Sequence, residues 1–119
     1  MDTTATKINA LLDAISQDIA KHENVANSAM HTLEKLNATP EEFKEANLRY
    51  GLNAFVIDYL YRIKAVVMER DIKKAENLIR YHAYYQHSKG NLDDGSTISV
   101  AQAAVAVTLD GYVARFFEA

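Results

Sequence analysis

The sequence predicts an all-α fold, a compact bundle of about four helices in one domain spanning residues 1–119, on three observations. One proline and four glycines in 119 residues leave few places to break a helix. Apolar residues recur at intervals of three and four along most of the chain, the period of a helical face. An apolar content of 49% is enough for a hydrophobic core and too high for a disordered chain.

The first element is a long N-terminal helix between Ala5 and Leu36, continuous or in two stacked pieces. Ile8, Leu11, Leu12, Ile15, Ile19, Val25, Ala26, Met30, Leu33 and Leu36 line one face, and Asp13, Gln17, Lys21 and Asn24 the other. The stop follows at Asn37-Ala38-Thr39-Pro40-Glu41-Glu42. Thr39 is an N-cap, Pro40 takes the first helical position where its missing N–H costs nothing, and Glu42 completes a capping box.

The second element is a central helix. Its leading stripe is Phe43, Ala46, Tyr50, Ala54, Ile57, Tyr61, Ala65 and Met68, which continues in phase through Ile72, Ala75, Ile79 and Ala83. Leu52, Phe55, Val56, Tyr59, Leu60, Ile63, Val66 and Val67 make a second apolar face, so the segment is expected to be buried on several sides. Asp58 and Arg62 form an i,i+4 pair on what polar surface remains. A rod from Pro40 to Ser88 would reach roughly 70 Å, far beyond a domain of this size. A bend near Glu69-Arg70-Asp71 is therefore expected, with Asp71 capping a third helix. Lys89 to Ser96 reads as a loop, with Gly90 placed to end that helix.

The last segment has two readings. Ser99-x-x-Gln102 as a capping box and the stripe Ala101, Val105, Leu109, Tyr112, Phe116 favour a helix. Asp110-Gly111 between two β-prone runs offers instead a β-hairpin over residues 98–117. The helix is preferred, because a lone hairpin beside a helical bundle would need a packing face of its own.

Composition narrows the chemistry. With no cysteine, disulfides, thiolate metal sites and cysteine nucleophiles are all excluded. Met1-Asp2-Thr3-Thr4 lacks the basic start of a signal peptide, and the longest nearly uncharged apolar run, Ile98 to Leu109, is too short to span a bilayer. No membrane contact and a cytoplasmic location are the expectations. None of the four histidines has glutamate three residues before it, as a di-metal bundle requires, and no His-Glu-x-x-His motif occurs. Asp93-Asp94-Gly95 is a turn rather than a calcium cage. No phosphate-cradling glycine loop or nucleophile elbow is present. No metal and no cofactor are expected. His22, near the core stripe beside Asp18, is read as structural, and His31 as solvent-facing. Tyr50, Tyr59, Tyr61 and Tyr112 fall at core-like phases.

The net charge of −3 hides an uneven distribution. Residues 1–45 carry net −4, residues 46–61 balance, and residues 90–119 carry net −3. Between them, residues 62–89 hold Arg62, Lys64, Arg70, Lys73, Lys74, Arg80 and Lys89 against Glu69, Asp71 and Glu76, net +4. Charge segregated in this way has two readings, a salt-laced helix docked on its acidic neighbours, which is preferred, and a partner surface. On a helix, Arg70, Lys73, Asn77, Arg80, Tyr84 and His87 share one face opposite Ile72, Ala75, Ile79 and Ala83. Tyr81, Tyr84 and Tyr85 cluster there with His82. Fixed positive charge, amide and imidazole hydrogen bonding and aromatic rings suit an acidic protein surface, or phosphates and stacked bases.

Arg80-x6-His87 resembles the Arg-x4-6-His signature of HEPN-type ribonucleases, small helical bundles that cleave RNA with such a pair, commonly contributed by both subunits of a dimer. The resemblance covers eight residues, and Tyr81 stands where the family often has a polar residue. It implies phosphate stabilisation by Arg80 and proton transfer by His87.

The leading expectation is nevertheless a helical protein–protein interaction module, a small inhibitor, adaptor or regulator of a larger macromolecular complex. Small acidic helical proteins of phages and mobile elements often work this way. Catalysis is the less favoured reading, with Arg80 and His87 its only candidates. Nucleic acid binding through residues 70–89 is the alternative, opposed by the overall acidity. Homodimerisation through the long helices is compatible with either.

Overall fold

A computed structural model describes residues 3–90 and 97–118. The chain forms four helices, α1 (Thr3–Leu33), α2 (Pro40–Val67), α3 (Ile72–Gly90) and α4 (Thr97–Phe116), and no strand among the described residues. The all-α reading holds, and the hairpin at 98–117 is corrected. Asp110-Gly111 lies inside α4, where Ala101, Val105, Leu109 and Tyr112 are all buried on one helical face. A glycine in a helix costs about 1 kcal/mol, whereas burying one such large side chain gains roughly 1.5–3 kcal/mol, so burial outweighs the turn signal. α4 also starts two residues before the expected cap, and Ser99 is buried within it. Of the loop read at Lys89–Ser96, Lys89 and Gly90 are instead the last residues of α3, and residues 91–96 lie outside the described residues.

The most local signals are reproduced. Thr39 Oγ1 accepts from the Glu42 backbone N–H at 3.1 Å, and the Thr39 N–H donates to the Glu42 carboxylate at 3.3 Å, both halves of the capping box. α2 stops at Val67, Arg70 takes a left-handed backbone (φ 65°), and Asp71 Oδ1 accepts from the Lys74 N–H at 3.1 Å to start α3. The bend therefore falls at Glu69-Arg70-Asp71, where the length of a continuous rod calls for one.

α1 runs antiparallel to α2, and α3 pairs with α4. α2 also meets both members of the second pair, which makes it the central helix. The shared core takes Ile8, Leu11 and Ile15 from α1, Val56, Leu60, Ile63 and Val67 from α2, Ala75 and Ile79 from α3, and Val105, Leu109 and Tyr112 from α4. Beyond it α1 and α2 continue as a two-helix arm closed on alanines, Ala26, Ala29 and Ala46.

Two expectations are corrected here. The molecule is elongated rather than compact, 57 × 29 × 20 Å with a radius of gyration of 16.3 Å, against about 13–14 Å for a globule of this length. α1 and α2, each over 40 Å long by about 1.5 Å per residue, outrun the shorter α3 and α4. In α2 the buried face is also the second one: Val56, Leu60, Ile63 and Val67 are inside with Asn53 and Ala46. Phe43, Tyr61 and Met68 of the leading stripe are 51%, 48% and 61% exposed. Aliphatic side chains fill the space between three neighbours without polar tips to satisfy, and the tyrosine-bearing stripe is left outside. In α3 the expected core residues Ala75, Ile79 and Ala83 are buried.

Candidate interaction face on the third helix

The buried positions of α3, Ala75, Ile79, Ala83 and Gln86, fix its orientation. Its outer side then presents Lys73, Lys74, Asn77, Tyr81, Tyr84 and Tyr85. Tyr81 and Tyr84 are 60% and 76% exposed, unusually open for aromatic rings. Tyr81 stacks along Tyr85 with centroids 6.3 Å apart and planes 18° from parallel.

This surface rests on a polar network joining α2 to α3. Gln86 Nε2 donates to the Tyr59 hydroxyl at 2.8 Å, and that hydroxyl lies 2.6 Å from His82 Nδ1. The hydroxyl and Nδ1 share one proton, in a direction set by the imidazole tautomer. Burial holds the His82 imidazole below its ordinary value of 6.5. Burial pushes the Tyr59 hydroxyl up, against the opposing pull of the Gln86 hydrogen bond. Tyr81 meets His82 edge-on at 5.3 Å, and Tyr59 does the same from the other side. The exposed ring of Tyr81 thus meets the edge of a half-buried imidazole. The remaining acceptor of this network, Gln86 Oε1, is buried without a hydrogen bond.

The six residues expected on one face are divided into three settings. Arg70 sits in the α2–α3 turn and donates from Nη2 to Asn9 Oδ1 of α1 at 3.2 Å, so it braces the turn. Lys73 and Asn77 line an open groove with Asp71, Lys74, Leu78 and Tyr81. Arg80, Tyr84 and His87 line a separate cleft toward α4 with Asp110, Val113 and Glu118. There Arg80 is held by Glu76 (Nε to Oε2, 3.0 Å) and by the Phe117 carbonyl (3.3 Å). His87 Nε2 is bonded to the Asp110 carboxylate. The spacing argument puts Arg80 and His87 on one face, and both line this cleft. It gives no warning of the carboxylates that α4 brings, because that pairing joins residues far apart in sequence.

Salt bridges further thin the basic block. Arg62 pairs with Asp58 at 3.1 Å and Lys74 with Glu69 at 2.9 Å, while Lys73 makes no ion pair among the described residues. His22, read as structural, bonds through Nδ1 to Asn53 Oδ1 at 2.7 Å. Its neighbour Asp18 instead accepts from Tyr112 of α4 at 2.6 Å. Lys74 belongs to the face but falls outside the six-residue stripe. Its position in the outward half-turn beside Lys73 is the signal that could have included it. Among the described residues, no group of three or more histidines and carboxylates is arranged to hold a metal ion, and no helix is long and apolar enough to cross a membrane. The chain matches no protein-family model, no curated protein and no solved structure.

Proposed function

We propose that this chain is a helical protein–protein interaction module, a small inhibitor, adaptor or regulator of a larger complex, which meets its partner through the outer face of α3. The observation that carries the reading is the pair of open rings, Tyr81 and Tyr84, on a rigid helix beside Lys73, Lys74 and Asn77. Tyrosine gives large contact area with little rotamer entropy to lose, and it recurs among the residues that dominate binding energy. The lysines favour a partner segment with carboxylates around an apolar centre. The cleft holding Arg80 and His87 suits a phosphodiester less well. Glu76, Asp110 and Glu118 surround the two, and a phosphate would have to displace carboxylates from both.

The test compares the tagged wild type with Tyr84→Ala and with the double variant Lys73→Glu/Lys74→Glu in pull-downs from host extract, with and without nuclease. The expected outcome is a nuclease-resistant protein partner whose affinity falls about thirtyfold in Tyr84→Ala. Charge reversal is expected to weaken it further, most at low salt. Recovery of nucleic acid instead, with RNA cleavage lost in both Arg80→Ala and His87→Ala, would replace this reading with the ribonuclease one.

A further inference from the structure

The apolar stripe that α2 leaves outside has a symmetry that the fold of one chain does not require. Phe43, Tyr50, Ala54, Ile57, Tyr61 and Met68 follow one another at intervals of seven, four, three, four and seven residues, which read the same in both directions. We propose that this stripe is a self-association surface, on which α2 packs antiparallel against α2 of a second copy of the chain across a two-fold axis near residues 55 and 56.

The stripe is free for such a role because of its place on the helix. Tyr59 reaches across to His82 of α3. Tyr61, two residues on, is turned about 200° away from that contact. The four central members, Tyr50, Ala54, Ile57 and Tyr61, line a groove of about 340 Å³ with Glu23 and Ala26 of α1. Ala54 and Ile57 are half-buried, whereas Phe43, Tyr61 and Met68 are about half exposed or more.

A second copy fits better than an arbitrary partner on three counts. The first is shape. Antiparallel pairing sets Phe43 against the partner's Met68, Tyr50 against the partner's Tyr61, and Ala54 against the partner's Ile57. A small side chain faces a large one nearest the axis, and the interface is isologous, as a two-fold dimer demands. The second is charge. Near the start of the helix Glu41, Glu42 and Glu45 stand against Lys44, net −2. Near its end Arg62 and Lys64 give net +2, with Arg49 and Asp58 balancing between. Antiparallel copies bring these opposite ends together, and parallel copies would set like on like. Asp58, beside the groove, is already paired with Arg62. The third is area. Residues 43–68 cover about 38 Å of helix. With α1 alongside, at about 10 Å of width per helix, the face offers roughly 800 Å² per copy, the size of a standard interface.

The chain has no cysteine, so single thiols report the register directly. The experiment measures mass by light scattering up to roughly 100 μM, since interfaces of this size range from micromolar to much tighter. It then treats Phe43→Cys, Met68→Cys and their mixture with a short bis-maleimide. The expected results are twice the 13.3 kDa monomer mass, cross-linked dimer in the mixture, and none in either variant alone. Tyr61→Glu, at an exposed position, is expected to return the mass to that of the monomer with helical circular dichroism unchanged. A monomeric wild type, Phe43→Cys linking to itself, no link in the mixture, or a dimer that survives Tyr61→Glu would each overturn the proposal.

Discussion

Tyr59, His82 and Gln86 show how a few polar atoms can set the chemistry of a surface without lying on it. Burial of His82 beside the Tyr59 hydroxyl disfavours the charged imidazole. A histidine with a lowered folded pKa binds fewer protons when native than when unfolded. Its contribution to stability is complete above about the unfolded value of 6.5 and is lost as pH falls from there through the folded value. Urea midpoints are therefore expected to drop between pH 7 and pH 5. They should drop less steeply in His82→Gln, which removes this group. An equal slope in the variant would show that His82 is not the source. Tyr81 rests on this imidazole, so its ring environment should change over the same pH range. At this scale the sequence is readable where partners are near neighbours. Thr39 and Glu42 lie three residues apart, and their box is formed as expected. The partners of His22 and His87, Asn53 and Asp110, come from other helices and cannot be inferred from local spacing.

Among the elements, α2 and α4 each posed a choice between two local readings, and packing made it. In α2 both faces are apolar at helical spacing. The one rich in Val, Leu and Ile went inside, into the core that all four helices share, while the tyrosine stripe borders an open groove beside α1. Periodicity gives the existence of the helix and its cap but not its rotation when both faces are apolar. In α4 a sound turn dipeptide was overridden by a buried stripe, which leaves Gly111 as a helix-interior glycine with no φ or space requirement. A Cβ added there meets nothing within 4 Å. Gly111→Ala is expected to raise stability by about 1 kcal/mol, read as roughly 3–5 °C in the thermal midpoint. A fall would mean that the glycine is needed for something other than the fold. The bend at Arg70 was the better-posed problem, since chain length alone forbade a continuous rod in one small domain.

For the whole molecule, the bond from Tyr112 to Asp18 ties the last helix to the first. Burial, reinforced by that carboxylate, drives the Tyr112 hydroxyl far above its ordinary value and keeps it a donor. Tyr112→Phe keeps the ring and removes the donor. It is expected to cost roughly 1.5–3 kcal/mol, the range for hydrogen bonds to charged groups, seen as a lower urea midpoint with an unchanged slope. A neutral result would mean that Asp18 finds water equally well. Composition and period anticipated the helical class but not the elongation, which depends on how far α3 and α4 reach along the longer pair. That arrangement also bears on how the chain finds its structure. α1 lies along α2, and α3 along α4, so most native contacts join segments adjacent in sequence. Each pair can close through a short connection at low entropic cost, and helical topologies of this local kind are the ones that reach the native state fastest. Only the docking of one pair on the other, fastened by Tyr112 and Asp18 across 94 residues, waits on a meeting of distant parts of the chain.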